Sequence, residues 1–420
     1  MPGDPGRVLG KEGDGVSLAS LRLDSVRGPV TSWERVAAVA VSLTALLPLP
    51  KVDVFTGAVV SAALLLPLMV PLFAKDKNLQ RLAVSTLLLG LLAAGTAALV
   101  ADSGDGIPTW QWAFRPFALM VSVVVLYWSS TKIGISSSVI LAIPVPLIFD
   151  VITRYGQGNI WKYAASVWVT VGLLVLVHRR GVWWKCAAVA LLVVLSAMND
   201  TRGIIAMAAA GLVVEVLSKT ATRKLYRLAV SVVGAAILAV GSFQLAVTGA
   251  LGAGIQRTMV QQTQEGAMSL LRFARPESEG NLAMVLADPL RFLVDDKVSA
   301  SQAAIIQNSF AEVGRDPGSQ YVERGVLYGA ELHSVLADFW LHIGFFGIVI
   351  AAIFASFFVS IGIKALFSRS PLVGVVIFIS LRAIWDLMFS PASDLRFWPL
   401  YVLIGLVFFV SERRAGVRSG

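Results

Sequence analysis

Apolar runs of about 20 residues recur along almost the whole chain, and they limit its fold more than any other feature. A helix needs a run of about this length to cross the ~30 Å hydrocarbon core of a bilayer. The sequence therefore predicts an all-α, polytopic membrane protein with about twelve transmembrane helices and one large extracytoplasmic loop. The runs lie near residues 34–50, 53–73, 82–100, 114–130, 133–151, 161–177, 183–198, 203–217, 228–247, 331–361, 371–390 and 396–411.

The composition agrees with a membrane protein. Of the 420 residues, 56% are hydrophobic and only 15% are charged, whereas soluble domains average about 25% charged residues. The single cysteine, Cys186, excludes an intramolecular disulfide and any cysteine-based metal site. The net charge of +9 is concentrated in short loops between apolar runs. This distribution is typical of positive-inside topology and argues against nucleic acid as a partner.

Lys and Arg are unevenly shared between successive connections, which predicts the topology. The basic connections are 75–81, 129–132, 178–185, 218–227, 364–370 and the C-terminal tail. The acidic or mixed connections alternate with them at 51–53, 101–112, 153–161, 199–203, 248–330 and 391–396. This alternation predicts that both termini are cytoplasmic. Four tryptophans near the predicted interfaces also suggest an aromatic belt: Trp110, Trp112, Trp161 and Trp340.

The same patterns divide the chain into five segments. The segment between the two groups of membrane helices is predicted to hold short amphipathic helices, because Ile306 and Phe310 recur at helical spacing. A loop of this length is typical of a lid or a binding surface. The predicted segments are a disordered cytoplasmic N-terminal tail at 1–33, transmembrane helices 1–9 at 34–247, the extracytoplasmic loop at 248–330, transmembrane helices 10–12 at 331–411 and a cytoplasmic C-terminal tail at 412–420.

Basic candidate site residues converge on the outer face in this topology. Arg202 lies in a short turn beside Asp200, Arg272 and Arg275 lie in the long loop, and His333 opens the tenth predicted helix. Arginine grips phosphate through paired, charge-assisted hydrogen bonds, and histidine readily exchanges a proton near neutral pH. Together they suit a substrate with an anionic leaving group and a hydroxyl nucleophile. Taken singly, Arg202 is explained equally well as a snorkelling arginine, and Arg272 and Arg275 as solvated loop charges. For His333 alone, a water-bound interfacial histidine is the better explanation.

One intramembrane pair, Arg382 and Asp386, lies four residues apart and therefore on one helix face. Because an unpaired charge in the membrane is costly, the pattern favours a self-neutralising pair over a role in the site, which it could still support. Three aspartates near outer helix ends could also approach the pocket: Asp150, Asp200 and Asp394.

The choice of a catalytic base has alternatives. Glu277 and Glu279, beside Arg275, could serve in place of His333. Asp338 lies five residues after His333, about 140° around a helix, and is a poor direct partner for it. The sequence has no Gly-rich nucleotide loop and no metal-ligand spacing, so it predicts neither a cofactor nor a metal.

Three short motifs of the chain stand at recognisable spacings. His333, Gly344 and Gly347 match a histidine followed by two glycines at the start of a late helix. Thr201-Arg202-Gly203 is similar to a Ser-Arg-Gly turn, and Arg275 corresponds to an arginine early in a large periplasmic loop. Together these motifs resemble those of the bacterial O-antigen ligase and O-antigen polymerase superfamily. Ser334 stands where that family commonly has asparagine, and no Pro-x-x-Gly-x-Gly follows Arg275.

The resemblance implies a metal-independent, inverting glycosyltransferase at the outer side of the bacterial cytoplasmic membrane. Its donor would be a polyprenyl-diphosphate-linked glycan, and its acceptor a glycan or a lipid. Arg202 and Arg275 would hold the diphosphate, and His333 would orient or deprotonate the acceptor hydroxyl. Two other classes stay open: a flippase or carrier for a lipid-linked saccharide, and an assembly partner without activity that would not require His333.

Overall fold

In the part of the chain that the structure describes, the regular structure is helical apart from one small hairpin. The computed structural model describes residues 30–49, 52–75, 77–98, 109–157, 159–199, 201–220, 276–290, 298–312 and 332–419, together with residues 248 and 256. The predicted run at 228–247 and most of the predicted tail at 1–33 lie outside these residues. The first nine α-helices are α1 (Ser32–Thr44), α2 (Gly57–Lys75), α3 (Lys77–Ala98), α4 (Thr109–Ile133), α5 (Ile135–Ala142), α6 (Pro144–Thr153), α7 (Ser166–Val177), α8 (Val182–Met198) and α9 (Arg202–Thr220).

The second half of the described chain holds six further α-helices. A π-helical turn, Trp161–Ala165, leads into α7, and a 3-10 turn, Ala392–Phe397, precedes the last helix. The backbone of that helix continues through most of the predicted C-terminal tail. The six helices are α10 (Pro276–Ala287), α11 (Ala300–Glu312), α12 (Val335–Ile343), α13 (Phe345–Phe367), α14 (Val373–Phe389) and α15 (Trp398–Ser419).

Within the described part of the chain, four segments are long and apolar enough to cross a membrane: Phe114–Ile133, Ile135–Thr153, Phe345–Phe367 and Ala392–Glu412. Shorter apolar helices accompany them at Gly57–Val70, Trp161–Val177, Val182–Met198 and Gly203–Ser218. The all-α class is therefore confirmed, and these apolar helices suggest a multi-pass membrane protein. The count of twelve helices stays a prediction. Helix α4 is the most buried of the four, since 78% of the residues in its apolar stretch are buried inside the protein. It packs against α1, α2, α3, α5 and α15.

Two of the predicted apolar runs are not single helices. The run at 53–73 starts with a strand, because β2 (Val52–Thr56) pairs antiparallel with β1 (Pro48–Leu49) before α2 begins. The run at 331–361 is two helices, α12 and α13, separated at Gly344. Apolar character is shared by strands and helices, so hydropathy alone does not locate such breaks.

Two glycines explain the break between α12 and α13. Gly344 has φ 67° and ψ −144°, a conformation that is essentially restricted to glycine. A Cβ at Gly347 would lie 2.1 Å from the carbonyl oxygen of Phe339, so only glycine permits the return of α13 against α12. These are the glycines on which the family resemblance depends, and their spacing has a structural reason in this chain.

The helices α10 and α11 pack together and against α12. Buried apolar side chains from both, including Met284 and Ile306, form one cluster with Trp340. The indole Nε1 of Trp340 donates to the carbonyl oxygen of Asp288 at 2.8 Å. Trp340 and Trp112 are 1% and 0% exposed, so the expectation that these two belong to a lipid-facing belt is wrong. Both are used in packing within the protein.

Candidate functional site

A cavity of about 930 Å³ lies at one end of the helices. The residues that line this cavity follow the predicted outer connections along the sequence. Each of the six connections contains a lining residue or ends within three positions of one. Among the described residues, none from the predicted inner connections lines the cavity. The acidic or mixed connections are therefore the ones associated with the cavity, and the described basic connections are not.

The lining combines one histidine, five cationic side chains and two carboxylates. The excess of positive charge gives the cavity the character of an anion-binding site. Its charged and titratable residues are Arg115, Asp150, Arg154, Lys162, His333, Arg382, Asp394 and Arg396.

The predicted site residues divide into those the structure places and those it does not. His333 lines the cavity, directly before the Ser334 N-cap of α12 rather than within the helix. Arg202 begins α9, and its neighbours Thr201 and Gly203 line the cavity, but its own side chain lies outside the described part. The remaining predicted residues, Asp200, Arg272 and Arg275, lie outside the described residues, as does the side chain of the alternative base Glu277.

Arg382 and Asp386 form a pair that extends to a third residue. One guanidinium nitrogen of Arg382 lies 2.8 Å from Asp386 Oδ1 and 3.0 Å from Asp394 Oδ2. Asp386 is fully buried and also accepts a hydrogen bond from Ser390 Oγ at 2.8 Å. The pair is therefore not merely self-neutralising, because Arg382 lines the cavity and fixes the following turn through Asp394.

Arg396 and Asp150 make a second ion pair across the cavity wall. Their closest charged atoms are 3.2 Å apart. Asp150 also accepts a hydrogen bond from Trp168 Nε1 at 2.7 Å, and Arg396 donates to the carbonyl oxygen of Tyr163 at 3.2 Å. Asp150 and Asp394 thus lie at the cavity, as their positions near helix ends suggested, and each holds an arginine in place.

Four cationic residues of the cavity were missed from the sequence: Arg115, Arg154, Lys162 and Arg396. Lys162 lies in the π-helical turn, an irregularity that is frequent at functional sites. A signal was present, since Arg154 and Lys162 lie in or beside a predicted outer connection, where the positive-inside rule expects few basic residues. Basic residues that break this rule are candidates for ligand binding.

Arg115 is oriented by an aromatic stack. Its guanidinium carbon lies 3.9 Å from the ring centroid of Trp112. The indole of Trp112 also stacks on the imidazole of His342, with the ring centroids 4.1 Å apart and an interplanar angle of 13°. This cation–π arrangement restricts the Arg115 side chain beside the cavity and connects α4 to α12.

The N-terminus of α9 lies at the cavity, since Thr201 and Gly203 line it. Thr201, immediately before the helix, accepts a hydrogen bond from Trp161 Nε1 at 3.0 Å. Asn159 Nδ2 donates to the carbonyl oxygen of Asn199 at 2.7 Å, which fixes the turn from both sides. Unpaired amides and the helix dipole favour an anion at such an end.

No protein-family model, curated protein or solved structure matches this chain. The chemistry of the cavity must therefore be derived from its own residues.

Proposed function

We propose that the protein is a metal-independent, inverting glycosyltransferase that transfers or polymerises a polyprenyl-diphosphate-linked glycan. One observation carries this proposal: a single cavity brings His333 together with five cationic side chains, in a protein with membrane-length apolar helices. A lipid-linked glycan needs an apolar environment for its tail, cations for its diphosphate and a base for the acceptor. The O-antigen ligase and polymerase resemblance supports the same class.

The cationic residues hold the donor. Arg154, Lys162 and Arg115 offer charge that complements a diphosphate, and the N-terminus of α9 adds backbone amides. Arg202 and Arg275 keep the roles that the resemblance implies for them. Such groups lower the barrier when they stabilise the negative charge that develops as the polyprenyl diphosphate leaves.

His333 activates the acceptor. It orients or deprotonates the hydroxyl of a glycan or lipid acceptor, and general-base assistance of this kind contributes about 10²–10⁴ in rate. The described carboxylates of the cavity, Asp150 and Asp394, are each engaged by an arginine. This engagement supports a reaction in which cationic side chains supply the electrostatic stabilisation.

The cavity faces the outer side of the bacterial cytoplasmic membrane, with both termini in the cytoplasm. The support is the coincidence of the cavity with the acidic or mixed connections. In this orientation the donor arrives already translocated, and its isoprenoid tail stays in the bilayer.

The test uses purified protein in nanodiscs with a short polyprenyl-diphosphate glycan, an acceptor and EDTA. Release of free polyprenyl diphosphate together with an extended or transferred glycan of inverted anomeric configuration is expected. Transport of the intact lipid across proteoliposomes without cleavage would replace this proposal with the flippase alternative. Full loss of activity in EDTA, restored by a divalent cation, would contradict metal independence.

A further inference from the structure

His333 has a backbone conformation that is uncommon for residues other than glycine. Its φ is 54°, and among the described residues it is the only non-glycine with a positive φ. This left-handed conformation is unfavourable for residues with a Cβ and persists only where the surroundings hold it. The side chain that it positions lines the cavity.

The peptide groups of Leu332, immediately before His333, are held from two directions. The Leu332 N–H donates to Asp338 Oδ1 at 2.7 Å, and the Leu332 carbonyl oxygen accepts a hydrogen bond from Asn281 Nδ2. Asp338 is 0% and Asn281 2% exposed. Because both partners are buried, water cannot easily replace either bond.

The second oxygen of Asp338 reaches a different part of the cavity wall. Asp338 Oδ2 accepts a hydrogen bond from the backbone N–H of Ala392 at 3.0 Å. Ala392 lines the cavity, as do the next residues, Ser393 and Asp394. One carboxylate therefore joins the His333 turn to the turn that carries Asp394.

The residue after His333 is fixed as well. Ser334 Oγ donates to the carbonyl oxygen of Leu387 in α14 at 3.0 Å and accepts from the N–H of Ala337 at 3.2 Å. Both neighbours of His333 are thus fixed to other elements. The conformation at His333 is determined by its surroundings rather than by its own preference.

We propose that Asp338 is a positioning residue that, with Asn281, holds His333 in its left-handed conformation at the wall of the cavity. The catalytic consequence rests on the proposed function, whereas the structural consequence does not. The backbone N–H groups of Leu332 and Ala392 need one acceptor oxygen each, and the Asp338 carboxylate supplies both. An Asn side chain would offer one oxygen and turn its NH₂ towards the other donor.

The experiment compares wild type with Asp338→Asn in nanodiscs. Carbethoxylation of His333 by diethyl pyrocarbonate is followed by peptide mass spectrometry, with an added histidine-containing peptide as internal standard. Loss of a buried hydrogen bond shifts a conformational balance by about fivefold, so the rate at His333 relative to this peptide is expected to change by that factor or more. In turnover, kcat falls by about 10²-fold with donor KM little changed, since misplacing a catalytic group by about 1 Å has an effect of that size.

Glu215→Gln is the matched control, because Glu215 is also a buried carboxylate but pairs with Lys185 near the opposite end of the molecule. It should leave the His333 rate unchanged. If Asp338→Asn fails to fold, Asn281→Leu removes the other bond to Leu332 and should change His333 reactivity in its place. A folded Asp338→Asn protein with wild-type His333 reactivity would overturn the proposal. A wild-type protein that turns over no donor would instead remove the proposed function and leave the reactivity comparison intact.

Discussion

Arg396 and Asp150, which are 246 positions apart in the sequence, meet at 3.2 Å and join the turn before α15 to the end of α6. Both residues line the cavity, so their ion pair holds part of its wall. Because this contact joins residues that are far apart in the sequence, the shape of the cavity depends on how the helices pack and not on one local motif.

The Asp150–Arg396 pair is expected to contribute measurably to stability. Asp150→Asn and Arg396→Gln should each lower the thermal midpoint in detergent, since each leaves a largely buried partner unsatisfied. The double variant should lose less than the sum, with a coupling free energy of about 0.5–3 kcal/mol. If the fall in the thermal midpoint of the double variant equals the sum of the two single falls, the pair is not formed in solution.

Arg154→Gln and Lys162→Gln should weaken donor binding. Each removes a cation from the cavity lining, and loss of a hydrogen bond to a charged group corresponds to about a tenfold rise in donor KM. Steady-state kinetics at fixed acceptor measures this effect. Arg179→Gln, at an exposed position in a predicted inner connection, is the control and should behave as wild type.

Trp112→Leu should act through Arg115. Removal of the indole leaves Arg115 without the ring at 3.9 Å, and a cation–π contact of about 1 kcal/mol corresponds to a roughly fivefold rise in donor KM. Trp183→Leu, at a residue that is 82% exposed, provides the matched tryptophan control. Equal KM values in the two variants would exclude a role for the stack in donor binding.

Gly347→Ala should destabilise the return between α12 and α13. The added Cβ would meet the Phe339 carbonyl oxygen at 2.1 Å, and relief of such overpacking typically costs about 1–3 kcal/mol. The same change at Gly95 in α3, where nothing lies within 4 Å, should be neutral or slightly stabilising. Differential scanning fluorimetry of both variants measures the difference, and equal midpoints would contradict the close approach.

The helical class was predictable because single apolar runs carry its signal. His333 was a candidate because of its spacing from Gly344 and Gly347, and it lines the cavity, while its chemical role stays a prediction. The pairing of Arg382 with Asp386 was also expected from their spacing, but its second partner Asp394 and the partner of Arg396, Asp150, could not be predicted, since they meet through tertiary packing. Asp338 was judged a poor direct partner of His333 from its helical angle; in the structure its carboxylate accepts a hydrogen bond from the backbone N–H of Leu332.

The central claim, that His333 activates an acceptor in a cationic cavity, is tested most directly by comparing wild type with His333→Ala in nanodiscs. Turnover of a polyprenyl-diphosphate glycan in EDTA and equilibrium binding of the same donor are measured side by side. Because the residue acts in proton transfer, turnover should fall by about 10²–10⁴-fold while donor binding stays within about twofold of wild type. Wild-type turnover in the variant would contradict the role of His333, and parallel loss of binding would assign it to the donor instead.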